Sequence, residues 1–167
     1  FARALHLIRQ GDADLIPGIA YTDQRAEFIL YATPSYYQVG PVFYTQKGRG
    51  HEITRYRDLY GYEIGYSLHS AYFEPFNSDP KLTKRGLSTE EQLLKMLAAR
   101  RLEIIIGTNP NLAYDVRRHG LGDLVEPTAY VPEQKTPIYF GLSKRKHGPE
   151  LHRKIETALA EMRAAGT

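Results

Sequence analysis

The 167-residue chain contains no cysteine and no tryptophan. Without cysteine it forms no disulfide, holds no thiolate-bound zinc and has no cysteine nucleophile. Long apolar runs are also missing, because the longest, Phe28–Ala32, is far shorter than the roughly 20 residues of a membrane-spanning helix. Neither sign of charge dominates, since 22 basic side chains stand against 19 acidic ones. The basic residues are scattered rather than gathered on one element, so we expect no nucleic-acid partner.

The residues that are present indicate an ordinary globular protein. Hydrophobic residues make up 42% of the chain and charged residues 25%. Thirteen tyrosines are the unusual feature, and a flat apolar ring with a polar tip suits ligand sites and interfaces as well as cores. The histidines show neither the i,i+4 pairing nor the neighbouring acids typical of metal sites. We therefore expect no metal and no cofactor.

Helical and strand patterns alternate along the chain, which favours an α/β fold with parallel sheets. The isoleucine run in Glu103–Ile106 predicts a strand that is buried on both sides. Thr22 is a candidate N-cap for a short helix, Ser88 for a second and Asn109 for a third. The predicted helices are Phe1–Gln10, Asp23–Glu27, Ser70–Phe76, Ser88–Arg100, Asn109–His119 and Pro149–Ala165, and the predicted strands are Asp14–Ile19, Val39–Gln46, Tyr62–Ser67, Glu103–Ile106, Leu124–Val131 and Ile138–Leu142.

The order of these elements predicts a domain inserted into another domain. Two extended stretches, near Val42–Lys47 and Tyr130–Pro137, bracket a unit with its own β-α-β order. A chain that enters such a unit once and leaves it once forms two lobes with a cleft and a two-strand hinge. We expect residues 1–45 and 134–167 to form lobe 1 and residues 46–133 to form lobe 2.

Several segments resemble those of a known family in their order and spacing. They are Leu7–Asp14, Tyr21–Arg25, Tyr31–Tyr37, Tyr62–Tyr66 with Ser70, Leu97–Glu103 and Ile138–Lys144. Together they are similar to family 3 of the extracellular solute-binding proteins, the substrate-binding components of polar amino-acid-type ABC importers. The resemblance implies a type II periplasmic binding protein that is a monomer outside the cytoplasm. Its partners would be a small polar solute and the membrane subunits of the transporter.

The resemblance also implies which residues bind the solute in lobe 1. Arg25 stands where the family's arginine forks onto a ligand carboxylate, which suits the planar, paired donors of a guanidinium. Its alternative is a surface arginine in the charge run from Asp23 to Glu27. Gly18 and Ala20 match a loop that contacts the same carboxylate and often carries serine, so only backbone contacts are available there. Tyr21 is a candidate wall of the cleft, as are three further tyrosines, Tyr36, Tyr37 and Tyr139.

In lobe 2 the resemblance implies three more ligand residues, two of which depart from the family pattern. Ser70 begins a predicted helix whose N-terminal N–H groups would attract an anion. His69 stands where the family has glycine, and it either contacts the ligand or is a surface histidine. Thr108 stands about where amino-acid binders have the aspartate that pairs with the ligand's ammonium. Either another acid serves, or the ligand lacks an ammonium, and we expect a carboxylate-bearing solute.

The resemblance leaves two other roles open and implies a missing segment. The same fold serves as the ligand-sensing domain of membrane-bound signalling proteins, and as a cyclohexadienyl-dehydratase-like enzyme, for which His69 is the candidate acid or base. A complete member of the family has a βαβ unit and, in the precursor, a signal peptide before the position of Phe1. We expect a chain starting at Phe1 to fold poorly without that unit.

Overall fold

The computed structural model describes residues 1–146 and 149–166. Helices and strands alternate along most of these residues, as the sequence patterns predict. The helices are α1 (Ala2–Gln10), α2 (Asp23–Ala26), α3 (Glu90–Ala98), α4 (Asn111–Arg118) and α5 (Pro149–Ala164). The strands are β1 (Leu15–Ala20), β2 (Ile29–Gln46), β3 (Glu63–Ser67), β4 (Thr83–Leu87), β5 (Ile104–Asn109), β6 (Val125–Pro127) and β7 (Thr136–Ser143). Two 3₁₀ helices, Gly50–Glu52 and Tyr56–Gly61, lie between β2 and β3.

The chain divides into two compact units. Unit 1 contains Phe1–Gln38 and Pro137–Thr167, and unit 2 contains Val39–Thr136. The chain therefore passes between the units twice, once within β2 and once at the start of β7. Unit 2 is continuous in sequence, whereas unit 1 is built from the two ends of the chain.

Unit 1 has β7 between β1 and β2 in its sheet, with β1 antiparallel to β7. The register of this pair shifts between Ile16 and Ile19, where Gly18 has a φ of +73° that a glycine adopts without a steric penalty. Ile8 of α1 packs with Ile16, Ile19 and Ile29 in one buried cluster. The predicted helix and strand at the start of the chain are confirmed, because their apolar spacing matches the faces that this cluster buries.

Unit 2 contains a sheet in the order β2–β5–β3–β4, with β6 also paired to β2. The pairs of β3 with β4 and with β5 are parallel, but β2 pairs with β5 and β6 in the antiparallel sense. The expectation of parallel sheets is therefore only partly right. Alternation of helices and strands predicts parallel neighbours only where a crossover joins them, and no such crossover joins β2 to β5.

Side chains cover both faces of the sheet in unit 2. Ile105 belongs to one buried cluster with Leu94 and Leu97, whereas Ile104 and Ile106 belong to another with Phe43. Successive residues of a strand point to opposite faces, so β5 is buried on both sides, as its isoleucine run predicts.

Three predicted element starts are corrected by the structure. Ser70–Phe76 forms no helix, since a turn occupies residues 74–78, Pro75 disfavours a helical Glu74, and the Asn77 side chain accepts a hydrogen bond from the Tyr72 N–H. Helix α3 is capped by Thr89, which accepts from the Gln92 N–H at 3.2 Å, rather than by Ser88.

The third correction concerns the start of α4. Asn109 does not cap this helix, because it is paired with Gly40 as the last residue of β5. The helix itself begins at Asn111.

Candidate functional site

Arg25 lies on α2 in unit 1, and its side chain is buried with only 7% exposure. Thr22 caps the helix by accepting from the Arg25 N–H at 3.2 Å, as predicted. The guanidinium Nη1 donates to the Ala20 carbonyl at 2.9 Å, and its carbon lies 5.2 Å from the centre of the Phe1 ring. Burial lowers the pKa of Arg25, and the nearby Tyr31 hydroxyl opposes this shift. The alternative of a surface arginine is therefore wrong.

Two tyrosines adjoin Arg25. The Tyr31 hydroxyl donates to the same Ala20 carbonyl at 3.2 Å, and its ring lies 5.1 Å from that of Tyr21. Tyr21 is 54% exposed and donates to Asp23 at 3.2 Å, which raises the pKa of Tyr21. An exposed aromatic face thus stands beside a buried cation.

The structure brings some of the predicted lobe 1 residues together. Ala20 joins Arg25 and Tyr31 through its carbonyl, so this carbonyl already serves as an acceptor within the protein. Gly18 is exposed in the same strand. An added Cβ at Gly18 would have only the Tyr36 hydroxyl within 4 Å, at 3.9 Å, so the positive φ, rather than crowding, accounts for a glycine there.

In unit 2, His69 and Ser70 lie in the turn that follows β3. The Ser70 N–H donates to the Ser67 carbonyl at 3.1 Å, and His69 has a φ of +64°. A non-glycine residue in this left-handed region carries some strain, which explains why glycine suits this position in the family. The His69 side chain is exposed, whereas Ser70 is half-buried.

Tyr72, which is not among the predicted site residues, connects this turn to β5. Its hydroxyl accepts from the Ser67 N–H at 3.1 Å and donates to the Ile106 carbonyl at 3.4 Å. Burial raises the pKa of Tyr72, and hydrogen bonds from Ser67 and from the Ser70 side chain oppose the shift. Because the turn was predicted to be a helix, no signal in the sequence pointed to this bridge.

Thr108 lies near the carboxyl end of β5, opposite Pro41 of β2, and is half-buried. Two acids of unit 2 lie on successive helices: Glu90 is the first residue of α3, and Asp115 lies on α4. Burial, and then the charge of Asp115, raise the pKa of Glu90. Glu90 also acts to raise the pKa of Tyr72, which places its carboxyl group within electrostatic reach of that hydroxyl. Glu90 is not among the predicted site residues, because its position at a helix start is explained by capping.

Over residues 1–146 and 149–166, no group of three or more histidine, aspartate or glutamate side chains is gathered to hold a metal ion. Within the same residues, no helix combines the length and the apolar character needed to cross a bilayer.

Comparison with known proteins gives a family match over the whole chain. The model of the bacterial extracellular solute-binding proteins, family 3, matches residues 1–167. A curated relative from Bacillus subtilis (strain 168), the probable amino-acid-binding protein YxeM, is 26% identical over 171 residues. The match covers 100% of this chain, which spans 63% of the length of that relative.

Solved structures show the same fold. AbpA, an amino acid ABC transporter substrate-binding protein from Streptococcus pneumoniae Canada MDR_19A bound to L-arginine, gives a TM-score of 0.82 at 20% identity, with 97% of this chain and 67% of AbpA covered. The periplasmic VFT2 domain of BvgS from Bordetella pertussis gives 0.78 at 18% identity, with 95% and 66% covered. The predicted α/β fold of the type II periplasmic binding proteins is confirmed.

Proposed function

This chain belongs to the bacterial extracellular solute-binding proteins, family 3, and on that premise we propose that it captures a small polar, carboxylate-bearing solute for an ABC importer. The observation that carries the proposal is the burial of Arg25 beside exposed Tyr21. The family match supports the importer as the partner in this proposal. The hinge closure and the monomeric state expected from the sequence stay predictions.

The chemistry of Arg25 supports an anionic ligand group. Burial lowers the pKa of Arg25, so an adjacent anion would favour its charged form. A carboxylate matches the planar donors of arginine with two parallel hydrogen bonds. Tyr21 and Tyr31 lie beside the cation with their rings 5.1 Å apart, and an exposed aromatic face suits an apolar or cationic part of the solute.

Unit 2 contains polar candidates of its own. Thr108 carries no charge, so it cannot pair with an ammonium as an aspartate does. Glu90 and Asp115 are carboxylates of the same unit, and burial together with the charge of Asp115 raises the pKa of Glu90. Because YxeM is described as a probable amino-acid-binding protein and AbpA holds L-arginine, amino acids and their 2-oxo analogues form the first screen.

A sensory role is the second candidate, and the similarity to the BvgS periplasmic domain favours it. At 18% identity that similarity concerns the fold alone. The two roles differ in partner, because an importer subunit releases the solute into a channel, whereas a sensor passes on a conformational change. Reconstitution of the full-length protein with an amino-acid-type ABC transporter in vesicles distinguishes them, since only a receptor supports solute uptake.

The dehydratase-like role requires an acid or base close to the ligand. His69, the candidate in the sequence, has an exposed side chain on the turn after β3. We therefore propose a binding protein rather than an enzyme. Incubation with cyclohexadienyl acids, followed by chromatography of the products, tests this choice, and turnover that is lost in His69→Ala would favour the enzyme.

The central experiment is a thermal-shift screen followed by calorimetric titration. The panel pairs each of several amino acids with its 2-oxo acid and with its carboxamide, which lacks the carboxylate. We expect binding of a carboxylate-bearing compound, no binding of the matched carboxamide, and strongly weakened binding in Arg25→Lys. The exposed Arg3 gives the control Arg3→Lys, and equal affinity of both variants would contradict the proposal.

A further inference from the structure

Lys144 lies just after β7 and contacts the connection between α2 and β2 at two points. Its side-chain ammonium donates a hydrogen bond to the Ala26 carbonyl, and its backbone N–H donates to the Phe28 carbonyl at 3.1 Å. Ala26 is the last residue of α2 and directly follows Arg25. A residue 118 positions along the chain from Ala26 therefore binds the end of the helix that carries Arg25.

Helix α2 depends on such outside contacts because it has only four residues. A single turn gains too few internal hydrogen bonds to offset the ordering of its backbone. At its start, the Thr22 carbonyl accepts from the Ala26 N–H at 2.9 Å, and the Thr22 hydroxyl accepts from the Arg25 N–H. At its end, the carbonyls of a last turn find no partner within a helix. Lysine side chains near a helix C-terminus can donate to these carbonyls, and Lys144 does so at Ala26.

Strand β7 also places the carbonyl that accepts from the Arg25 side chain. Ala20 pairs with Ile138 of β7, and its carbonyl accepts from the Arg25 Nη1 at 2.9 Å. Further along the same segment, Lys144 binds Ala26. The side chain and the backbone of Arg25 are thus both positioned from β7 and the residue that follows it.

The preceding residue, Ser143, fixes the backbone from which Lys144 reaches α2. Ser143 is only 1% exposed, and its hydroxyl donates to the Ile8 carbonyl of α1 at 2.7 Å. Its N–H donates to the Asp14 carbonyl, just before β1, at 3.1 Å. These bonds do not involve the Lys144 side chain, so they remain when that side chain is replaced.

Lys146, two residues further on, offers a comparison within the same segment. Its ammonium lies 3.3 Å from the Asp14 carboxylate, and its side chain is 46% exposed. Lys144 and Lys146 carry the same charge at exposed positions, but the contact of Lys144 is with α2. A variant at each lysine therefore separates the loss of a positive charge from the loss of the contact to Ala26.

We propose that Lys144 is a positioning residue for Arg25, which holds α2 so that the guanidinium is oriented to receive the carboxylate of the solute. The inference rests on the proposed function, because that function assigns the carboxylate to Arg25. Lys144 acts through its hydrogen bond to Ala26 and does not itself touch the solute. Loss of this bond should loosen α2 and weaken binding, whereas the contacts of Ser143 preserve the fold of unit 1.

The first test needs no solute and follows hydrogen–deuterium exchange of the full-length protein at a single pH. Lys144→Met removes the donor but keeps a long side chain, whereas Lys146→Met removes the same charge without touching α2. We expect the amides of residues 22–28 to exchange several-fold faster in Lys144→Met and at the wild-type rate in Lys146→Met. Unchanged exchange in Lys144→Met, or an equal increase in both variants, would overturn the proposal.

The second test measures affinity for the carboxylate-bearing compound that binds the wild type most tightly in the screen. We expect Kd to rise about three- to tenfold in Lys144→Met, the range given by one charged contact at a helix end. Lys144→Arg keeps charged donors and should restore binding to within about twofold of the wild type, and Lys146→Met should bind like the wild type. Equal losses in Lys144→Met and Lys146→Met would show that net charge, rather than the contact to Ala26, sets the affinity, and would refute the proposal.

A double variant tests whether Lys144 acts through Arg25. Residues that act through one another give non-additive effects. In the Arg25→Ala background, Lys144→Met should therefore add no further loss of affinity, because the group that it positions is gone. The same fold-loss in both backgrounds would contradict the route through Arg25.

Failure of this proposal and failure of the proposed function give different results. If Arg25→Ala weakens binding of the carboxylate while Lys144→Met binds like the wild type, the proposed function stands and the positioning role is wrong. If no carboxylate-bearing compound binds the wild type, the proposed function falls, and the role of Lys144 in carboxylate binding falls with it. Exchange at residues 22–28 then still shows whether Lys144 orders α2.

Discussion

Units 1 and 2 differ in how closely they keep the binding residues that the family resemblance implies. Unit 1 keeps an arginine and buries it, with only 7% of Arg25 exposed. Unit 2 has His69 in place of a glycine and Thr108 in place of an acid, and it carries Glu90 with a raised pKa instead. Unit 1 thus matches the pattern that the resemblance implies at its arginine, whereas unit 2 departs from that pattern at His69 and Thr108.

The largest loss of affinity is expected when Arg25, the buried cation of unit 1, is replaced. Arg25→Ala should weaken binding of the carboxylate found in the screen by about 2–5 kcal/mol, which is at least about thirtyfold in Kd. The reason is the loss of a charge-assisted, bidentate partner. Isothermal titration measures the change in Kd, with Arg3→Ala as the control. An unchanged Kd in Arg25→Ala would contradict the role of Arg25 in binding the carboxylate.

Replacing Thr108 in unit 2 should change the relative affinities for different classes of ligand. Thr108→Asp restores the acid that the resemblance implies. We expect the affinity for α-amino acids to rise about tenfold and the affinity for 2-oxo acids to fall. The reason is that a carboxylate attracts an ammonium and repels an anion. Calorimetric titration of matched pairs gives the ratio. Thr108→Asn, which is isosteric but neutral, is the control. Micromolar binding of standard amino acids by the wild type would show that unit 2 already contains the missing counter-charge.

The two hydrogen bonds of the Tyr72 hydroxyl in unit 2 should contribute to the free energy of unfolding. Tyr72→Phe removes the acceptor of the Ser67 N–H and the donor to Ile106, and leaving buried backbone groups unpaired costs about 1–3 kcal/mol. Urea unfolding measures this loss. Tyr60→Phe, whose hydroxyl bonds Asp79 at an exposed position, should lose much less, and similar losses in both variants would argue against a special role of the bridge.

The smallest effect concerns the pH dependence of unit 2. The folded-state pKa of Glu90 lies above its ordinary value, so the folded state favours the protonated carboxyl group. Ionisation of Glu90 therefore lowers the free energy of unfolding as the pH rises from about 4 through the folded-state pKa. Glu90→Gln should therefore be more stable than the wild type at pH 7 by a few tenths of a kcal/mol, as for other like-charged neighbours, and equal to it at pH 4. Unfolding curves at both pH values measure this difference, and Glu161→Gln on the exposed face of α5 is the control.

Local signals in the sequence predicted several elements well. The apolar spacing of α1 and Gly11 after it, with a φ of +83°, define that helix within a few residues. Thr22 caps α2 as predicted. The β5 strand is fully buried at its centre because its isoleucines serve both faces of the sheet. Each of these signals acts within a single turn or strand, so no distant contact could overrule it.

Other elements lacked such signals. Strand β4 has the sequence Thr83-Lys84-Arg85-Gly86-Leu87, which shows no apolar alternation because it is an edge strand with polar side chains. The predicted strand at Leu124–Val131 shrinks to Val125–Pro127, the residues that pair in register with β2. Met162 of α5 is 55% exposed, because α5 packs mainly through Leu151, Ile155 and Leu159.

The sequence by itself determined the family, the α/β fold class and the position of Arg25 next to a helix cap, because these depend on residue order and on contacts within a few positions. Only the tertiary structure decided that Arg25 is buried, that Tyr72 joins the turn after β3 to β5, and that Lys144 donates to the Ala26 carbonyl. Tyr72 lies 34 positions from Ile106 and Ala26 lies 118 from Lys144. Burial and hydrogen bonds over such separations arise from packing between elements, and no local pattern of side chains encodes them.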